Sequence, residues 1–111
     1  MKLPNHTNAI IDLAKIRDYV LNPDHPRGKH KAKVFARVLG FDDRDAKELK
    51  RQILVRIGGS ECLPGIADDY GQRFHADVPV AGRFGEVIVR TGWIVLKGES
   101  APRLTTCFVR S

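Results

Sequence analysis

The stretch RFHADVPV, residues 73–80, decides the fold. Phe74, Ala76, Val78 and Val80 alternate with Arg73, His75, Asp77 and Pro79, the period of two that a strand imposes by pointing successive side chains to opposite faces. Before it, apolar residues recur at helical spacing. After it, they alternate or run together. The chain therefore divides into a helical first half and a stranded second half.

Working back from Arg73, SECLPGIADDYG (residues 60–71) is punctuated by proline and glycine and reads as a loop. The helix before it carries Ala46, Leu49, Ile53 and Ile57 on one stripe, with Asp42 or Asp43 as its cap and Gly58-Gly59 as its stop. Acids near its start and Lys50, Arg51 and Arg56 toward its end suit the helix dipole. A second helix is expected from Lys29 to Leu39, burying Ala32, Phe35, Ala36 and Leu39, with Gly40 ending it. The first begins at Asp12, a good cap, and places Leu13, Ile16, Tyr19 and Val20 at helical spacing until Asn22-Pro23. Between these two, NPDHPRG makes a rigid connection.

Working forward, Pro79 marks an edge or a strand end. The turn AGRFG leads into EVIVRTGWIVL, apolar on both faces from Val87 to Leu96 and so the central strand. KGESAP then turns the chain into RLTTCFVR. Helices followed by a meander give an α+β fold, about three N-terminal helices packed on a three- to four-stranded antiparallel sheet. With 111 residues, the chain is expected to form one domain, 1–111.

The net charge of +6 is unevenly placed. Residues 1–60 hold 13 basic and 7 acidic side chains, and residues 61–111 hold 6 of each. Arg27, Lys29, Lys31, Lys33 and Arg37 follow one another with no carboxylate between them. Such a run attracts polyanions, either RNA or an acidic protein partner. No apolar run approaches a membrane span and no secretory leader is evident, so a cytoplasmic protein without membrane attachment is expected. Cys62 and Cys107 have neither zinc nor disulfide-framework spacing and are expected as free thiols.

The candidate sites follow from these charges. At GKHK, residues 28–31, Gly28 would let a phosphate approach the backbone at a helix start, with Lys29, His30 and Lys31 around it. The bland alternative is a solvated basic face above Phe35 and Leu39. His30 and His75 are the histidines suited to proton transfer, His6 and His25 being placed in surface loops. Lys29, Lys31, Arg73, Arg90 and the Thr105-Thr106 pair could hold a phosphate. Trp93 is either a core anchor or a base-stacking platform, with the anchor favoured by the lack of neighbouring exposed aromatics. HxH and HxxxH spacings are absent, so no metal site or cofactor is expected. Nucleophile-elbow, P-loop and dinucleotide fingerprints are absent too.

LPNHTNAIIDLAKIRDYVLNPDHPRGKHKAKVFARVLGF, DDYGQRFHADVPVAGRFG, VRTGWIV and PRLTTCFV together resemble a family of small bacterial domains of unknown function. The resemblance covers nearly the whole chain. It implies a stand-alone bacterial protein or a terminal domain of a polymorphic-toxin-like chain, and brings forward Gly28 to Lys31, Tyr70, Gln72, Arg73, Trp93, Arg103 and Thr105. Lys15, Asp18 and Tyr19 would brace the neighbouring loop. In outline the order of elements is similar to the barnase, EndoU, colicin D and RelE group of RNases. The expectation is an RNA-acting, toxin-type protein with metal-independent RNase chemistry, His30 or His75 serving as general base and Lys29, Lys31, Arg73 and Thr105 holding the phosphate. The competing expectation is a non-catalytic immunity- or antitoxin-like module that docks through its basic half. An accessory domain without activity of its own is a third.

Overall fold

A computed structural model describes residues 1–110. Helix α1 (Leu13–Lys15) begins where the Asp12 carboxylate accepts the Ala14 N–H, and continues as a π-helical turn, Ile16–Val20. Helix α2 (Lys29–Leu39) ends at Gly40, whose φ of 70° is the left-handed conformation that closes a helix with least strain in glycine. A capping box of Asp42 and Asp45 opens the turn that leads into helix α3 (Ala46–Arg56). Four strands follow in a plain antiparallel meander: β1 (Cys62–Ala67), β2 (Gly71–Gly82), β3 (Gly85–Leu96) and β4 (Arg103–Val109).

Two expectations need correction. The segment taken for a loop contains β1, whose residues after Cys62 are all exposed. With no buried alternation and with Pro64 and Gly65 inside it, an edge strand of this kind leaves no periodic trace. Ala36 is exposed, so the buried stripe of α2 is Ala32, Phe35 and Leu39. Pro79 fits its surroundings: it pairs with Ile88 on β3, while β1 reaches β2 only as far as Ala76. The missing proline N–H therefore costs no ladder bond on that side.

One face of the sheet carries Phe74, Ala76, Val78 and Val80 from β2, Val89, Thr91 and Trp93 from β3, and Leu104 and Cys107 from β4. Ile16, Val20, Phe35, Leu39, Leu49, Ile53 and Ile57 from the helices close over it in a single core. Trp93 lies wholly inside, its indole N–H donating to Thr91 Oγ1 at 2.8 Å while the Thr91 hydroxyl donates to the Ala76 carbonyl. Every polar atom of this buried chain is satisfied, which spares the core the cost of an unpaired group. Gln52 ties α3 to β2 by donating to the Ala81 carbonyl and accepting the Ala81 N–H.

Cys62, Ala76, Thr91 and Cys107 form one cross-strand row on the buried face. The two free thiols thus stand three strand spacings apart, roughly 14 Å, too far to bridge. Burial pushes the Cys107 thiol up to about 12. No helix among the described residues is long and apolar enough to cross a membrane.

Candidate phosphate site on the open face of the sheet

The helices cover one face of the sheet, and the alternation places the remaining side chains on the other. Its central row runs Leu63, His75, Gly92, Thr106 across β1 to β4. Asp77, Arg90 and Phe108 form the next row, and Arg73, Ile94 and Arg103 flank it on the far side. Gly92 leaves the middle of the face without a side chain.

A β-bulge shapes the end of the central row. Thr106 pairs with Gly92 and Leu104 with Trp93, so Thr105 is the extra residue. Both threonines crowd the glycine: a Cβ at Gly92 would lie 3.0 Å from Thr105 Oγ1 and 3.3 Å from Thr106 Cγ2. Gly92 is thereby flanked by the two threonines on the β4 side and by His75 on the β2 side. Across two strand spacings the backbones of His75 and Thr106 are roughly 10 Å apart.

Two ammonium groups reach this row from the helical layer. Lys15 Nζ donates to the Thr105 carbonyl at 3.3 Å, and Lys31 Nζ to Thr106 Oγ1 at 3.4 Å. Lys31 also lies 5.2 Å from the centre of the Phe108 ring. Between α1 and β4, Asp12, Lys15, Tyr19, Thr105 and Thr106 line a cleft of about 470 Å³. On the other side of Lys31, a groove of about 270 Å³ is walled by His30, Val34, Phe108 and Val109. His75 lines a third hollow with Glu61, Leu63, Asp77 and Arg90.

Charge on the open face is largely settled within it. Arg90 holds Asp77 through two hydrogen bonds of 2.9 and 3.2 Å, and Arg110 adds a third at 2.6 Å. The Arg90 hydrogen bonds hold the Asp77 carboxyl below its ordinary range despite partial burial, with Arg110 reinforcing them. Arg73 pairs with Asp68 at 2.7 Å. Neither arginine is therefore the uncommitted phosphate donor that the sequence suggested. By contrast, Lys15, Arg27, Lys29, Lys31, Lys33 and Arg37 have no carboxylate partner among the described residues.

The structure separates the members of GKHK. Gly28 is buried, and a Cβ there would lie 2.3 Å from the Tyr19 carbonyl oxygen. Close packing of α1 on the start of α2 explains this glycine, and its surface is not open to a phosphate. His25 completes the arrangement: its Nδ1 accepts the N–H groups of Arg27 and Gly28, both at 3.0 Å, and its carbonyl accepts that of Lys29. The loop thus satisfies the backbone N–H groups that lead into α2. The His25 ring meets Tyr19 edge-on at 4.5 Å, so this histidine is a bracing residue and not a bystander. Lys29 and His30 are exposed, His30 at the groove beside Phe108, and Lys31 alone of the four hydrogen-bonds to the sheet.

His30 and His75 do not form a pair. His30 stands beyond the outer edge of β4, while His75 is on β2 with β3 and β4 between them. Trp93 has no exposed surface and cannot stack on a ligand in this conformation. Lys15 and Phe108 stand at the site although the sequence assigned neither a ligand role, and Thr106 stands there as the sequence suggested. The signal that could have found Phe108 is the alternation of β4, which sets Thr106 and Phe108 on the face opposite Cys107. Among the described residues no group of three or more His, Cys, Asp or Glu side chains is placed to hold a metal ion.

A family model described as a domain of unknown function, DUF6883, matches residues 2–111. The chain belongs to the DUF6883 family. No curated protein and no solved structure matches it. For this DUF6883 domain, the likeness to toxin chains and RNases finds no support in those comparisons. The segments quoted for the family resemblance nevertheless supply the site: Lys15, Tyr19 and Lys31 come from the first, His75 from the second, Gly92 from the third and Thr105-Thr106 from the last.

Proposed function

We propose that this protein acts on RNA, holding a backbone phosphate above Gly92 and using His75 as general base for cleavage. The observation that carries this reading is the row His75, Gly92, Thr106, ended by Lys31. A neutral imidazole takes the proton of a ribose 2′-hydroxyl as that oxygen attacks the neighbouring phosphorus. The P–O5′ bond breaks, and the departing oxygen takes a proton from the Lys31 ammonium or from water. The products are a 2′,3′-cyclic phosphate and a 5′-hydroxyl. Thr105, Thr106 and the two lysines face the phosphate oxygens, where charge accumulates in the transition state.

The uncompensated cations of α2 extend the site along a strand of RNA. Lys29, Lys31 and Lys33 offer compact point charges to successive phosphates, with the forked guanidiniums of Arg27 and Arg37 beside them. Here nine arginines, including Arg73, Arg90 and Arg110, already hold carboxylates of the chain itself.

The test is incubation of the purified protein with RNA in EDTA. Fragments ending in 2′,3′-cyclic phosphate are expected. Binding without cleavage would remove the catalytic step and leave an RNA-binding module. Binding of an acidic protein but not of RNA would favour the docking-module reading.

A further inference from the structure

We infer that the groove beside Lys31 receives an unstacked base of single-stranded RNA, with Phe108 as its stacking platform; this rests on the RNA reading above. Phe108 is half-buried and forms one wall of the groove, with Val34 and Val109 as further apolar surface. His30 is the polar group at that wall and Lys31 joins the groove to the phosphate row. Thr106 and Phe108 are two residues apart on one strand and on the same face, a separation of about 7 Å. The Lys31 ammonium rests over the Phe108 ring at 5.2 Å, so a nucleotide whose phosphate draws Lys31 toward Thr106 frees that ring face for its base. An aromatic face with apolar walls accepts any base, and only an unpaired strand offers one. Trp93, weighed in the sequence as a stacking platform but favoured as a core anchor, is enclosed in the core.

The experiment compares a short single-stranded RNA with the same oligomer made abasic throughout, which keeps the phosphates and removes the bases. Wild-type protein is expected to bind the intact strand more tightly. Phe108→Leu should weaken the intact strand by about tenfold and leave the abasic one unchanged, with Phe108→Tyr restoring the preference. Circular dichroism checks that both variants fold. Equal binding of the two strands by wild type, or equal weakening of both by Phe108→Leu, would overturn the inference while leaving RNA binding in place. Binding of neither strand would overturn both readings.

Discussion

The Lys31 ammonium donates to the Thr106 hydroxyl at 3.4 Å, joining the first turn of α2 to the edge strand β4 across 75 positions of chain. No carboxylate of the described chain pairs with it, so its charge remains available to a ligand. Lys31→Ala should weaken RNA binding by about five- to tenfold at low salt and lessen its salt dependence by roughly one counterion. Lys97→Ala, in the β3–β4 turn, serves as the control. Equal losses in the two variants would indicate a diffuse charge effect and no site at Thr106.

Gly28→Ala should destabilise the fold by about 1–3 kcal/mol, because the new methyl meets the Tyr19 carbonyl at 2.3 Å. The glycine φ of −88° is open to any residue, so the penalty is steric and not conformational. Urea unfolding measures it. An unchanged midpoint would show that α1 and α2 can separate without loss.

Gln52→Ala should cost about 1–3 kcal/mol, since it strips both hydrogen-bond partners from Ala81. The loss should appear as earlier thermal unfolding with the open face of the sheet untouched. A variant as stable as wild type would mean that water replaces the amide without penalty.

Acid should unfold the protein through its paired carboxylates. Hydrogen bonds from Arg51 and then Gln52 hold Glu48 down to about 2, Arg83 lowers Asp45, and Arg90 with Arg110 lowers Asp77. A depressed carboxyl contributes its full stability above the unfolded value, about 4, and loses it as pH falls through the folded value. The melting temperature should therefore hold level from neutral pH to about 5 and fall between about 4 and 2. Because Glu48 is considerably exposed, its own share is small. A melting temperature that stays level to pH 2 would contradict these pairings.

How far the sequence reveals this protein depends on which residues carry a period. Asp12, Gly40 and the stripe Ala46, Leu49, Ile53, Ile57 stand where their chemistry placed them, because caps and buried stripes are local properties. β1 has one buried residue and left no such trace. The candidate site was legible in parts. His75, Lys31 and Thr105 were recognisable as chemistry, but their placement along the row through Gly92 depends on strand register, on a bulge and on the contact of Lys31 with Thr106, which are tertiary facts. Gly28 shows the converse: a glycine before a lysine-rich helix suggested an anion, and its cause is a carbonyl from a helix nine positions earlier.

The most direct test of the central claim compares RNA cleavage in EDTA by wild type, His75→Gln and His30→Ala. His75→Gln should lose activity by about a hundredfold or more while keeping its affinity for RNA. His30→Ala should still cut. Full activity in folded His75→Gln, or its loss only in His30→Ala, would contradict the placement of the catalytic base on β2.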